Sequence, residues 1–293
     1  MTYCPPEKRT DAEVVKMMQE WSIDPLAMPK ARGLNRLAQM MELDILCEID
    51  RVCRKHGLRY WLDYGTLLGA VRHKGFIPWD DDADISMPYE DFVRFKELAP
   101  TELGENYVLT APPGLITNVT HRLFSTSEDQ VIDQVKEAVG RKKCFFQVDI
   151  FPVHYLKEDI DTERAGKMIK KSIIKKKLRT IKLPDPEAFG DFVHNELDGP
   201  LKADKETSRM FMSLDCIVQP KPRIMRTKDI FPLREIEFEG KKLLAPHNTE
   251  VWLWYVFGEY WKLVVEPAHN NLKLMSLDEI ETLVNWGKER NYI

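Results

Sequence analysis

Four carboxylates crowd into residues 80–84, at Asp80, Asp81, Asp82 and Asp84. Apolar side chains bracket them, with Ile77, Pro78 and Trp79 before and Ile85 and Met87 after. Such a run cannot enter a core unaided, because ionised carboxylates repel one another and lose their hydration. The chain must hold it at the edge of a core and supply compensating charge. Strand side chains alternate, so a strand over residues 82–87, begun early enough, puts Asp80, Asp82 and Asp84 on one face. Asp81 then points the other way, to solvent or a helix N-terminus. A divalent Mg2+ or Mn2+ is the usual compensation, since hard cations prefer oxygen ligands. The competing reading, a solvated acidic turn, is weakened by the apolar flanks.

Upstream, the spacing of Leu34, Leu37, Met41, Ile45 and Ile49 predicts a helix over residues 34–56, with Gly57 as its left-handed stop. Residues 58–64 are short and aromatic and read as a strand, broken by Gly65-Thr66 before a short helix over residues 67–72. Glycine between a strand and a helix lets backbone amides approach a phosphate, and a helix N-terminus favours the anion. Gly65 and Thr66 are therefore the candidate anion cradle and the acidic strand the metal platform, two parts of a phosphoryl-transfer site. Asp149, inside the apolar run 145–151, is the candidate third metal ligand. An ion pair with Arg122 or Arg141 is its alternative explanation. Arg72, His73 and Lys74, between cradle and platform, are candidates for holding phosphate or stabilising a leaving group. Trp61, Tyr64 and Trp79 are aromatic faces that suit a quaternary ammonium, with core packing as the competing role.

Further strands are expected near residues 107–110, 120–125 and 145–151, a helix over 89–99, and a hairpin over 235–238 and 241–244. Other expected helices are residues 11–21 and a last one capped by Ser276 with Glu279. Pro184-Asp185-Pro186 marks a boundary candidate. The net charge of −4 gives no overall field for nucleic acid, so no nucleic-acid partner is expected. Residues 164–182 carry nine basic and no acidic side chains, a pattern suited either to a solvated helix face or to peripheral contact with an anionic membrane. Neither a signal peptide nor a membrane span is legible, and five scattered cysteines form no disulfide framework. The expected location is cytoplasmic, with peripheral association at the inner face of the membrane as an extension of that reading.

The run from Gly65 to Ile85, GTLLGAVRHKGFIPWDDDADI, resembles the signature of the LicD family, and Val148-Asp149-Ile150-Phe151-Pro152 resembles its second motif. The resemblance covers about residues 34–261. It implies an α+β, nucleotidyltransferase-like mixed sheet flanked by helices, with residues 1–33 as a helical extension, 34–265 as the catalytic domain and 266–293 as a C-terminal helix. It also implies that Gly65 and Thr66 hold nucleotide phosphates and that Asp82, Asp84 and Asp149 bind Mg2+ or Mn2+. The implied activity is transfer of phosphocholine from CDP-choline, a CDP-alcohol donor, to a sugar of teichoic acid, lipopolysaccharide or another lipid-linked glycan. Asp80, Asp82, Asp84 and Asp149 are the expected catalytic residues, and Gly65, Thr66, Arg72, His73, Lys74 and Trp79 the expected substrate contacts. Nucleotidyl transfer and a non-catalytic nucleotide-binding role are the alternatives. Val153-His154 stands where relatives often carry another acidic residue, and residues 265–269 lack the more basic continuation expected there; both departures bear on acceptor identity.

Overall fold

The computed structural model describes residues 25–110, 121–125, 147–161, 163–165, 195, 198–212, 223–262, 281, 284–285, 287–289 and 291–293. After a 3₁₀ turn at Pro25–Ala27, helix α1 spans Gly33–His56 and ends on Gly57 in the left-handed conformation, φ 64°. Its buried stripe, Leu37, Ala38, Met41, Ile45, Ile49 and Val52, is fully withdrawn from water or nearly so. Each such side chain is worth about 1.5–3 kcal/mol on burial, so α1 is pinned by packing more than by propensity.

Strand β1 is Trp61–Leu62, helix α2 Tyr64–His73, strand β2 Ala83–Pro88 and helix α3 Tyr89–Glu102. Strands β3 (Tyr107–Thr110), β4 (His121–Ser125), β5 (Gln147–Tyr155), β6 (Arg209–Met212) and β7 (Ile224–Arg226) follow. The short helix α4 is Thr227–Ile230; strands β8 (Arg234–Phe238) and β9 (Lys241–Ala245) form a separate hairpin, and helix α5 is Thr249–Phe257. Among the described residues the main sheet has seven strands, β1-β2-β5-β4-β3 in order, with β6 joined to the far part of β5 and β7 to β6. Among these residues the β2–β5 pairing alone is parallel and the other pairings are antiparallel. This is a mixed α+β architecture, as expected.

Local readings differ from the structure in two places. The strand expected over 58–64 is confined to Trp61–Leu62, because Asp63 starts a helix there: its backbone is extended and its side chain accepts the Tyr64 N–H at 2.7 Å. Strand β2 begins at Ala83, so Asp80 and Asp82 precede it. The helix expected over 11–21, the basic stretch 164–182 apart from residues 164 and 165, the boundary at 184–186 and the Ser276–Glu279 cap lie outside the described residues. No described helix is long and apolar enough to cross a membrane.

Candidate active site

Asp63 anchors the site from below. Its carboxylate accepts from Ser86 Oγ at 2.5 Å and from the Trp252 indole Nε1 at 2.5 Å, and its N–H donates to the Asp84 carbonyl at 3.0 Å. Burial pushes this carboxyl above its ordinary range, against the pull of Ser86, Trp252 and the Tyr64 N–H. One buried side chain thus ties the start of α2, strand β2 and α5 together.

Gly65 and Thr66 lie in the first turn of α2, where backbone N–H groups have no intrahelical acceptor. A Cβ on Gly65 would stand 2.7 Å from Asp80 Oδ2, so glycine is what lets the Asp80 carboxylate lie against the helix. Thr66 has a different task from the one its position suggests: its Oγ1 accepts the buried Asp84 N–H at 2.8 Å and locks β2 to α2.

Of the four carboxylates, strand register brings Asp84 and Asp149 together, while Asp80 and Asp82 lie in the loop before β2. Parallel register sets Asp84 opposite Asp149, on the same face of adjacent strands. Burial, then Asp82, Asp149 and Asp80, push the Asp84 carboxyl well above its ordinary range. Asp80 is raised in the same direction by burial and by Asp82, to which it is hydrogen-bonded, with Arg72 opposing. Asp81 is buried, which corrects the solvent-facing position considered for it. The backbone register of β4 places Arg122 opposite Asp149 on the other side; Arg141 lies outside the described residues. Among the described residues no three acidic, histidine or cysteine groups are placed so that they could hold a metal ion. Asp82, Asp84 and Asp149 offer hard oxygen donors, the donor type that Mg2+ or Mn2+ takes.

The basic residues divide. Arg72 is buried and donates to the carbonyls of Tyr260 at 3.1 Å and Lys262 at 3.4 Å, clasping the 257–261 segment to α2. Burial lowers its pKa to about 10, while Asp80 pulls the other way. Lys74 is turned to the hairpin, 3.5 Å from Glu237. His73 meets Trp79 edge to face, ring centres 6.4 Å apart. Of the aromatic faces, Trp61 is wholly buried against Phe231 and belongs to the core. The Tyr64 ring is covered by the Arg223 guanidinium, 4.3 Å from its centre, and by Phe151 at 5.1 Å.

Three residues escaped the sequence reading. Arg223 immediately precedes β7, far along the chain, and nothing local marks it. Glu239, at the tip of the hairpin, accepts from Arg36 at 2.8 Å and from Phe76 N–H at 3.3 Å, bracing the loop between α2 and β2. Glu42 is wholly buried on α1 among the apolar stripe. Its place one turn after Ala38 and before Ile45 on that stripe was a usable signal.

A helix N-terminus and a carboxylate pair on parallel strands, joined through one buried aspartate, define an α+β domain with an acidic centre on the inner strands β2 and β5. Residues 57–189 match the family model described as LicD/FKTN/FKRP, nucleotidyltransferase domain. The lipopolysaccharide cholinephosphotransferase LicD of Haemophilus influenzae is 35% identical over 116 residues, 40% of this chain and 43% of that protein. An uncharacterized protein of Rickettsia typhi is 34% identical over 86 residues, 29% of this chain and 28% of that protein. The human ribitol 5-phosphate transferase FKRP is 48% identical over 48 residues, 16% of this chain and 10% of that protein. The chain thus spans less than half the length of each of these relatives.

Proposed function

We propose that the chain transfers a phospho-alcohol, phosphocholine from CDP-choline, to a sugar hydroxyl of a cell-surface glycan such as lipopolysaccharide or teichoic acid. The observation that carries this reading is the Asp84–Asp149 pair on parallel strands, set beside the first turn of α2. The relatives add support, being named for transfer of cholinephosphate and of ribitol 5-phosphate, both phospho-alcohols.

In this reading the Gly65 and Thr66 N–H groups in the first turn of α2 bind the donor's pyrophosphate. The acceptor oxygen bonds to the phosphorus of phosphocholine while the bond from that phosphorus to the CMP oxygen breaks. The hydroxyl proton goes to a carboxylate, assigned to Asp80, which lies against the first turn of α2. Asp82, Asp84 and Asp149 would hold Mg2+ or Mn2+, which would supply charge neutralisation to the transferring phosphoryl group. Arg72 and Asp63 hold the frame, and the rim residues His73, Lys74 and Trp79 bound the donor's path.

Mass spectrometry of protein incubated with Mg2+, a panel of CDP-alcohols and nucleoside triphosphates, and simple sugars tests the reading. Release of CMP with a phospho-alcohol added to the sugar is expected. Pyrophosphate release with a nucleotide added would replace it by nucleotidyl transfer, a reading favoured by the family model's own description. Binding of CDP-choline without product would favour the non-catalytic role.

The basic residues of 164–182 are assigned to peripheral contact at the inner membrane face, where lipid-linked acceptors reside. Liposome flotation against a charge-neutralised variant tests this; equal binding removes it.

A further inference from the structure

Helix α1 lines the acidic centre from beneath with three polar side chains spaced by four and three residues. Asn35 Nδ2 donates to the Pro78 carbonyl at 3.1 Å, and Gln39 Nε2 donates to the carbonyls of Ile77 at 3.1 Å and Asp80 at 2.9 Å. These two bonds fix the loop that carries the aspartates. Glu42, one turn further, makes no such bond: its side chain is 0% exposed and neither carboxylate oxygen has a hydrogen-bond partner. The charged groups that act on it are Asp82, Asp80, Asp81 and Asp84, with no opposing cation among them.

We propose that Glu42 belongs to the divalent-cation centre, its carboxylate adding negative charge from α1 to the set formed by Asp82, Asp84 and Asp149. The inference rests on the cation part of the reading above and is independent of which donor or acceptor is used. A buried carboxylate without hydrogen bonds, facing like charges, is strongly disfavoured in the folded chain unless it is neutralised. Two neutralisers are open to it, a proton or a metal. A divalent ion among the same aspartates reverses their field and makes the ionised form of Glu42 the favoured one.

The two neutralisers are separated by Glu42→Gln, which keeps the shape and removes the charge. The measurement is Mn2+ binding to the full chain by titration calorimetry, without donor or acceptor, alongside thermal unfolding of the metal-free protein. If Glu42 serves the cation, Glu42→Gln weakens Mn2+ binding by about 10–100-fold, as loss of a supporting group does at other metal centres. Its metal-free melting temperature is held or raised. Unchanged Mn2+ affinity in a folded Glu42→Gln protein overturns the proposal and makes Glu42 a neutral buried acid, leaving the transferase reading intact. A wild-type chain that binds no Mn2+ overturns the proposal together with the cation part of that reading, whereas a wrong donor shows only in product mass. Glu42→Asp keeps the charge and guards against a folding defect: it should bind Mn2+ more tightly than Glu42→Gln, and equal affinities would overturn the proposal.

Discussion

Asp84 and Asp149 stand directly opposite each other across the parallel pairing of β2 with β5, two carboxylates placed side by side by register. Asp149 and Asp82 both raise the proton affinity of Asp84. Repulsion of this kind destabilises the metal-free protein and favours a bound cation. Asp149→Asn should lower turnover on the order of 10²–10³-fold. The same change should raise the metal-free melting temperature by about 2–4 °C per kcal/mol of repulsion relieved. Product formation and calorimetry, run on one preparation, check both halves.

Gly65→Ala tests the packing of Asp80 against α2. The new methyl would sit 2.7 Å from Asp80 Oδ2, so the carboxylate must move. A loss of about tenfold or more in turnover is expected, with circular dichroism unchanged. In the Gly65→Ala, Asp80→Asn double variant the two losses should fall short of additive, since both act on one carboxylate.

For Thr66 the structural and ligand roles part cleanly. Thr66→Val leaves the buried Asp84 N–H without its acceptor, which costs about 1–3 kcal/mol. Thr66→Ser retains the oxygen and should stay within about 1 kcal/mol of wild type by urea denaturation. Comparable destabilisation by both would mean that the Thr66 methyl, not its hydroxyl, is what matters.

Glu239 links stability to pH. Burial raises its carboxyl, but Arg36 and Lys30 outweigh burial, and the net value in the folded chain lies below the ordinary 4.5. A depressed carboxyl contributes stability that is present above 4.5 and is lost as pH falls through the folded value. Glu239→Gln should therefore be destabilised by about 2–3 kcal/mol near neutrality, as for a largely buried pair that loses one partner. The gap to wild type should shrink as the pH is taken below 4.5. A constant gap across that window would assign the effect to packing.

The acidic centre was legible because carboxylates inside apolar runs leave few arrangements open. The two expected strands did meet, and the helices over 34–56 and 89–99 appear within a few residues of their expected ends. The start of α2 was misread because the aromatic run 58–64 outweighed a helix-start signal, Asp63 ahead of Tyr64-Gly65-Thr66. The role of Arg72 was beyond reach: its acceptors are carbonyls at Tyr260 and Lys262, and no local pattern reports a contact so distant in the chain. Arg223 over Tyr64 and Glu239 under the motif loop are tertiary for the same reason.

The bond from the Trp252 indole to Asp63 makes the centre optically addressable. Indole emission responds to the charge beside its N–H, and here that charge is the carboxylate that starts α2 and holds β2. In a chain whose other six tryptophans are replaced, a ligand that shifts geometry at the head of α2 would therefore change the emission of Trp252 on α5, a readout that needs no label on donor or acceptor.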